Sequence, residues 1–158
     1  NEIANYIDTA NIAVMPWDQA NKALLSAINS GDKLERYWAL VAASSIAAWN
    51  RSANHDMAAD ETFIKLLHRR TLDTEPLVAA RAAQLAAILQ VADPRPTFQR
   101  TLELSQSPTE ALHIFNMVRH VNALAGNPYP MNSKLFRLPF NPDPKGLIQQ
   151  HLDHLDRP

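Results

Sequence analysis

Apolar residues recur along this chain at steps of three and four, the spacing that gathers them on one face of an α-helix. Caps and breakers divide the pattern into elements. A first helix over about Glu2 to Val14 puts Ile3, Ile7 and Ala10 on one stripe and stops before Pro16. A second opens near Trp17–Asp18 and carries Ala20, Leu24, Ala27 and Ile28. It ends at Gly31, where a left-handed cap is easiest for glycine. Asp32 caps a third, with Leu34, Trp38, Val41, Ser45 and Ala48 in line, and the polar stretch NRSANHDMA from Asn50 reads as a loop. Asp60 caps the next helix, where Phe63, Leu66 and Leu67 face inward. Asp73 or Thr74 opens another, with Pro76 tolerated in its first turn. Val78, Ala82, Leu85, Leu89 and Ala92 fall on one face there. Pro94 and Pro96 precede a short helix holding Phe98 and Leu102. Ser107-Pro108-Thr109-Glu110 is then a start signal, a Ser cap with Glu at the third helical position. The helix it opens is apolar on two flanks, Leu112, Phe115 and Val118 on one and Ile114, Met117, Val121 and Leu124 on the other, which predicts a buried central helix closed by Gly126.

The order is one helix and then three helix pairs. The second member of each pair opens near Asp32, Asp73 and Ser107, intervals of 41 and 34 residues. Such intervals belong to helical-hairpin repeats of the TPR, HEAT and armadillo kind. The TPR signals of Trp, Gly-Tyr and a terminal Pro are missing. Small Ala at the packing faces lets neighbouring helices approach closely, as stacked layers require. The predicted fold is all-α: a right-handed, HEAT-like α-solenoid of about three hairpins plus the N-terminal helix, over residues 1–126. The tail differs, since five of the eleven prolines lie between Pro128 and Pro144. Residues 127–144 cannot be helix, and Tyr129, Met131, Leu135, Phe136, Leu138 and Phe140 are too apolar for a free linker. They are expected to form an extended strap packed on the solenoid. Residues 145–158 are expected to form a short closing helix with Leu147, Ile148, Leu152 and Leu155 inward, all within one structural domain.

Composition agrees with helix: Ala occurs 24 times and Leu 19 times against 3 Gly in 158 residues. Fifteen Lys and Arg nearly balance sixteen Asp and Glu. That balance argues against a general nucleic-acid binder. No stretch approaches the roughly 20 apolar residues of a membrane span. The absence of cysteine excludes disulfides, thiolate metal sites and a Cys nucleophile. A chain that begins in helical pattern at Asn1, with no initiator Met, reads as a piece cut from something longer.

Candidate chemistry is sparse. His113 and His120 lie two turns apart on one helix with Arg119 beside the second, but a metal site needs a third ligand and none is placed at ligand spacing. They read as polar groups on the rim of that helix. His151 and His154, with Asp153 and Asp156 nearby, are the alternative start for a zinc site. His55-Asp56 and His68 read as surface. Three glycines leave no strained nucleophile turn and no phosphate loop. Asp60–Glu61 and Asp73/Glu75 are explained as caps and first-turn partners of the helix dipole. His68-Arg69-Arg70 is too short for a nucleic-acid patch. Trp38 and Trp49, eleven apart on one helix, read as core, with a sugar-stacking platform as the functional alternative. The expected catalytic, cofactor-binding and metal residues of this stretch are therefore none.

The segment Leu34-Glu35-Arg36-Tyr37-Trp38-Ala39, then TEPLVAARAAQLAAIL, then ALHIFNMVRHVNAL, resembles the helical-repeat region C-terminal to the catalytic domain in some bacterial sulfatases. There the pattern reads V-R-Y-W, D-x-x-P-x-V-R-x-A-A-x-A-L and L-x-A-x-N-A-L, and Gly126 to Pro130 resembles the N-G-Y/P segment that follows. Glu35 stands where a repeat Arg is expected, and Ala79 replaces the second. The resemblance implies a non-catalytic domain of a sulfatase-like hydrolase that supports its catalytic domain, its substrate cleft or oligomer contacts. The parent would be extracytoplasmic and calcium-dependent, with a formylglycine made from a C/S-x-P-x-R segment; no such segment occurs in this sequence. The alternative is a free-standing HEAT-like scaffold for another protein.

Overall fold

The computed structural model describes residues 2–124; the expected strap at 127–144 and closing helix at 145–158 lie outside them. Among the described residues every regular element is helical: α1 (Glu2–Asn11) with a 3-10 turn (Ile12–Val14), α2 (Trp17–Ile28), α3 (Lys33–Trp49), α4 (Arg51–Ala59), α5 (Glu61–Thr71), α6 (Pro76–Ile88), α7 (Arg95–Leu104) and α8 (Pro108–Leu124). The all-α expectation holds. Helices α1, α3, α6 and α8 pack in succession, while α2 lies on α3, α5 on α6, and α7 on both α6 and α8.

Helix α6 joins two cores. Val78, Ala82, Leu85 and Leu89 pack with Leu24, Ile28, Leu40, Phe63 and Leu67 on one side. Ala80 and Ala83 pack with Phe98, Ile114, Met117 and Val118 on the other. With alanine at five of its buried positions, neighbouring helices approach closely, and the helix is covered on both flanks. Trp17 closes the first core edge-on against Phe63, with ring centroids 5.1 Å apart.

Asp32 accepts from the Leu34 N–H and Asp60 from the Phe63 N–H, the caps expected of them. The Ser107 hydroxyl accepts from the Glu110 N–H, and the Glu110 carboxylate reaches back to the Gln106 N–H.

Several expectations are corrected. The stretch from Asn50 is not a loop: the Asn50 side chain accepts from the Ser52 and Ala53 N–H groups and opens α4, which buries Ala53 and Met57 one turn apart. Gly31 is not in the left-handed region, and its carbonyl and that of Ser30 accept from Arg36 Nη1 at 3.0 and 3.1 Å. Among the described residues, a left-handed backbone falls instead on Gln90, φ 58°, after α6. There Val91 N–H bonds to Ala86 O and Gln90 N–H to Ala87 O, a Schellman closure without glycine. Finally, the stripe Leu34, Trp38, Val41, Ser45 and Ala48 faces outward from α3, because Ala39, Leu40, Ala42, Ala43, Ile46 and Ala47 fill the core side. Leu112 of α8 and Ile3 and Ile7 of α1 are likewise exposed.

Asp73 is not the cap of α6, which Glu75 precedes with no side-chain cap; it accepts from the Glu75 N–H at 3.1 Å and serves a different purpose. Its carboxylate is buried between two guanidinium groups: Arg36 Nη2 donates to Oδ1 at 3.1 Å with Nε 3.0 Å from Oδ2, and Arg70 Nη1 donates to Oδ2 at 3.0 Å. Burial pushes the carboxyl up, but the Glu75 N–H, Arg36 and Arg70 outweigh it and hold it below the usual carboxylate value. Arg70 Nε also donates to Ile28 O at 2.8 Å, tying the end of α2 to α5. Arg69 and Arg70 both donate to Asn29 Oδ1, so the basic run is a helix-end clamp.

Candidate functional site

The outward faces of α3, α6 and α8 enclose a groove of about 420 Å³, a size that accommodates small ligands. Val41, Ser44, Ser45, Ala48 and Trp49 come from α3, Arg81, Gln84 and Ile88 from α6, and His120 and Leu124 from α8. Ser44 and Ser45 turn their hydroxyls back to the Leu40 and Val41 carbonyls, 2.7 and 3.1 Å away. The walls are therefore mainly apolar.

Its polar side is one fixed chain of hydrogen bonds. Arg81 Nη2 donates to the Tyr37 hydroxyl at 2.8 Å and Nη1 to Gln84 Oε1 at 2.6 Å. Because a guanidinium only donates, the Gln84 carbonyl must face it, which turns the Gln84 amide nitrogen to His120 Nδ1, 2.7 Å away. His120 Nδ1 then accepts, so the ring is neutral with its proton on Nε2. Burial lowers the His120 pKa, and the Arg81 charge lowers it further. His120 itself stands at the rim and Gln84 is buried. The Arg81 guanidinium carbon also lies 5.2 Å from the Tyr37 ring centroid, within cation–π range.

Trp49, 90 % exposed, stands at the mouth, and Trp38 is 39 % exposed. Neither is core, which corrects the sequence expectation. An adjoining groove of about 630 Å³ shares Ala48, Ile88 and Leu124 with the first, and its Arg95 pairs with Asp93 at 2.6 Å.

The histidines separate. His113 is exposed and His120 joins Gln84, so the pair converges on no common point. His55, Asp56 and His68 are on the surface as expected, the first two on α4 rather than a loop. His151 and His154 lie outside the described residues. Among the described residues no group of three or more His, Asp or Glu is placed to hold a metal ion, and no helix is long and apolar enough to cross a membrane. Sequence reasoning passed over Tyr37, Arg81 and Gln84. Arg81 and Gln84 are the polar pair three residues apart that interrupts the apolar run of α6, and that spacing is the signal that marks the groove. Comparison with protein-family models, with curated proteins and with solved structures finds no match to this chain.

Proposed function

We propose that this chain is a non-catalytic helical-repeat domain, a right-handed HEAT-like solenoid, that docks against the catalytic domain of a sulfatase-like hydrolase. The observation that carries the docking is the open face of α3, where Leu34, Trp38 and Trp49 are 47 %, 39 % and 90 % exposed. Large apolar side chains gathered on one face mark surfaces that meet another protein. Aromatic residues are the usual anchors of such contacts. The parent is named by the resemblance of Arg36 to Ala39 and of the α6 and α8 segments to the sulfatase-associated region. Calcium and formylglycine would belong to the parent's catalytic domain, outside the cytoplasm; the C/S-x-P-x-R segment is not in this chain.

Two measurements test the reading. The coding sequence upstream of Asn1 should carry a C/S-x-P-x-R segment in frame. In the longer protein, amide exchange along α3 should slow relative to this domain alone. A start codon directly before Asn1 removes the parent, and unchanged exchange along α3 removes the docking face. A free-standing scaffold is the second reading. It is favoured by the same exposed stripe, which requires a protein surface but no particular parent. Its signature is a stoichiometric complex with a separate chain, abolished by Trp38→Asp.

A further inference from the structure

We propose that the groove between α3, α6 and α8 binds a small organic carboxylate, its anion on Arg81 and its apolar body along Val41, Ala48 and Ile88 toward Trp49. Three helices of this chain form the groove, and the proposal stands apart from the identity of any parent.

Three observations carry it. First, Arg81 is a half-buried cation whose hydrogen-bond partners, Gln84 Oε1 and the Tyr37 hydroxyl, are both neutral. Among the described residues no Asp or Glu lines the groove. By contrast, Arg36 and Arg70 meet Asp73, and Arg95 in the adjoining groove meets Asp93. A guanidinium sheltered from water without a counter-ion gains most from an incoming anion.

Second, the cation is incompletely used. Arg81 carries five N–H donors, of which two are spent, and its Nε is buried with no partner among the described residues. One hydrogen remains on each Nη. The Gln84 and Tyr37 bonds fix the plane of the guanidinium before any ligand arrives, which lowers the ordering cost of binding.

Third, the charge and the walls select the class. With His120 neutral, the lining carries a single positive charge, which suits a monoanion. A planar carboxylate matches a planar fork. A doubly charged phosphate would bring surplus charge against Val41, Ala48, Ile88 and Leu124. The exposed indole of Trp49 belongs to the lining and adds aromatic surface for the ligand body.

The test uses the whole chain and three probes: benzoate, its neutral isostere benzyl alcohol, and inorganic sulfate. Isothermal titration is the primary readout, and the change in tryptophan fluorescence on binding is assigned with Trp49→Phe. Benzoate should saturate with a Kd on the order of 1 mM, as befits so small a ligand. Benzyl alcohol and sulfate should bind at least about tenfold more weakly, the loss expected when a charge-assisted contact or the apolar contact is missing. Arg81→Gln should weaken benzoate by a similar factor, and Arg81→Lys by less. No saturable benzoate binding overturns the proposal. So does benzyl alcohol or sulfate binding as tightly as benzoate, or benzoate indifferent to Arg81→Gln in a variant with unchanged circular dichroism. If Arg81→Gln does not fold, the comparison of the three probes on the unaltered chain decides.

Discussion

Replacing Asp73 removes a carboxylate that faces both Arg36 and Arg70. The side chains of Asp73, Arg36 and Arg70 are 3 %, 10 % and 15 % exposed, so water cannot substitute for the lost anion. Breaking a buried pair by removing one partner costs about 3–5 kcal/mol. Both arginines keep carbonyl acceptors, Ser30 O and Gly31 O for Arg36 and Ile28 O for Arg70, which favours the lower end. The Glu75 N–H loses its acceptor as well, worth about 1 kcal/mol. Asp73→Ala should therefore cost about 3–4 kcal/mol, a large part of the roughly 5–15 kcal/mol that holds a domain together. Urea unfolding followed by circular dichroism measures it: with a slope of about 1–3 kcal/mol/M, the midpoint falls by about 1–4 M. A loss under about 1 kcal/mol, the range of exposed ion pairs, refutes the reasoning.

The same carboxylate predicts a pH dependence. Its pKa is lower in the fold than the ordinary 3.8, so the folded chain holds a proton less tightly than the unfolded chain does. The stabilisation is then full above pH 3.8 and is lost as pH falls through the folded value. The gap in stability between the native chain and Asp73→Asn should be constant near neutrality and close as acid is added. A gap that persists unchanged to pH 2, a round value about two units below the ordinary carboxylate pKa, would mean that Asp73 does not titrate with folding.

Leu85 is fully buried on α6, so Leu85→Ala should cost about 2–5 kcal/mol in the same assay; a loss under about 0.5 kcal/mol would place it on the surface. Gln90→Gly removes a side chain from a left-handed residue and should raise stability by about 0.5–1 kcal/mol, despite glycine's greater freedom when unfolded; a decrease would refute the closure at the end of α6. His120 should titrate below 6.5 by NMR, so any stability it contributes is present above pH 6.5 and lost as pH falls through its folded value. Arg81→Gln should bring that pKa up, and a His120 titrating at or above 6.5 contradicts the Gln84–His120 arrangement.

What was legible in the sequence depended on where the large side chains sit. Helices α2, α5, α6 and α7 bury large residues on the predicted faces, and Leu24, Phe63, Leu85 and Phe98 are all buried as expected. Helix α3 inverts that relation. It packs against α1, α2 and α6, and half of its buried positions are alanine, because close neighbours leave little room. The largest residues, Trp38 and Trp49, are left outside, so a stripe chosen by size marks the wrong face. Helix α4 escaped notice because its buried pattern is a single pair, Ala53 and Met57. Periodicity needs more than one repeat to be seen.

The charged residues were harder still, since their partners are remote in sequence. Arg36 and Asp73 are 37 residues apart, Arg70 and Ile28 are 42, and Arg100 reaches Thr71 across 29. The last two solve a local problem with a distant group: a helix ends with unpaired carbonyls, and an arginine from a later helix supplies the donors. Arg70 of α5 does this for α2, and Arg100 of α7, donating to Thr71 O at 2.6 Å, does it for α5. That service explains why Gly31 is not needed as a cap and why Arg69 and Arg70 are held at the end of α2. Arg81 is different. Its partners are side chains on α3 and α6 rather than helix-end carbonyls, and its place is in the groove. An arginine spent on carbonyls is accounted for by the fold alone. One held by a buried glutamine and a tyrosine, with no carboxylate beside it among the described residues, is what the proposed ligand would complete.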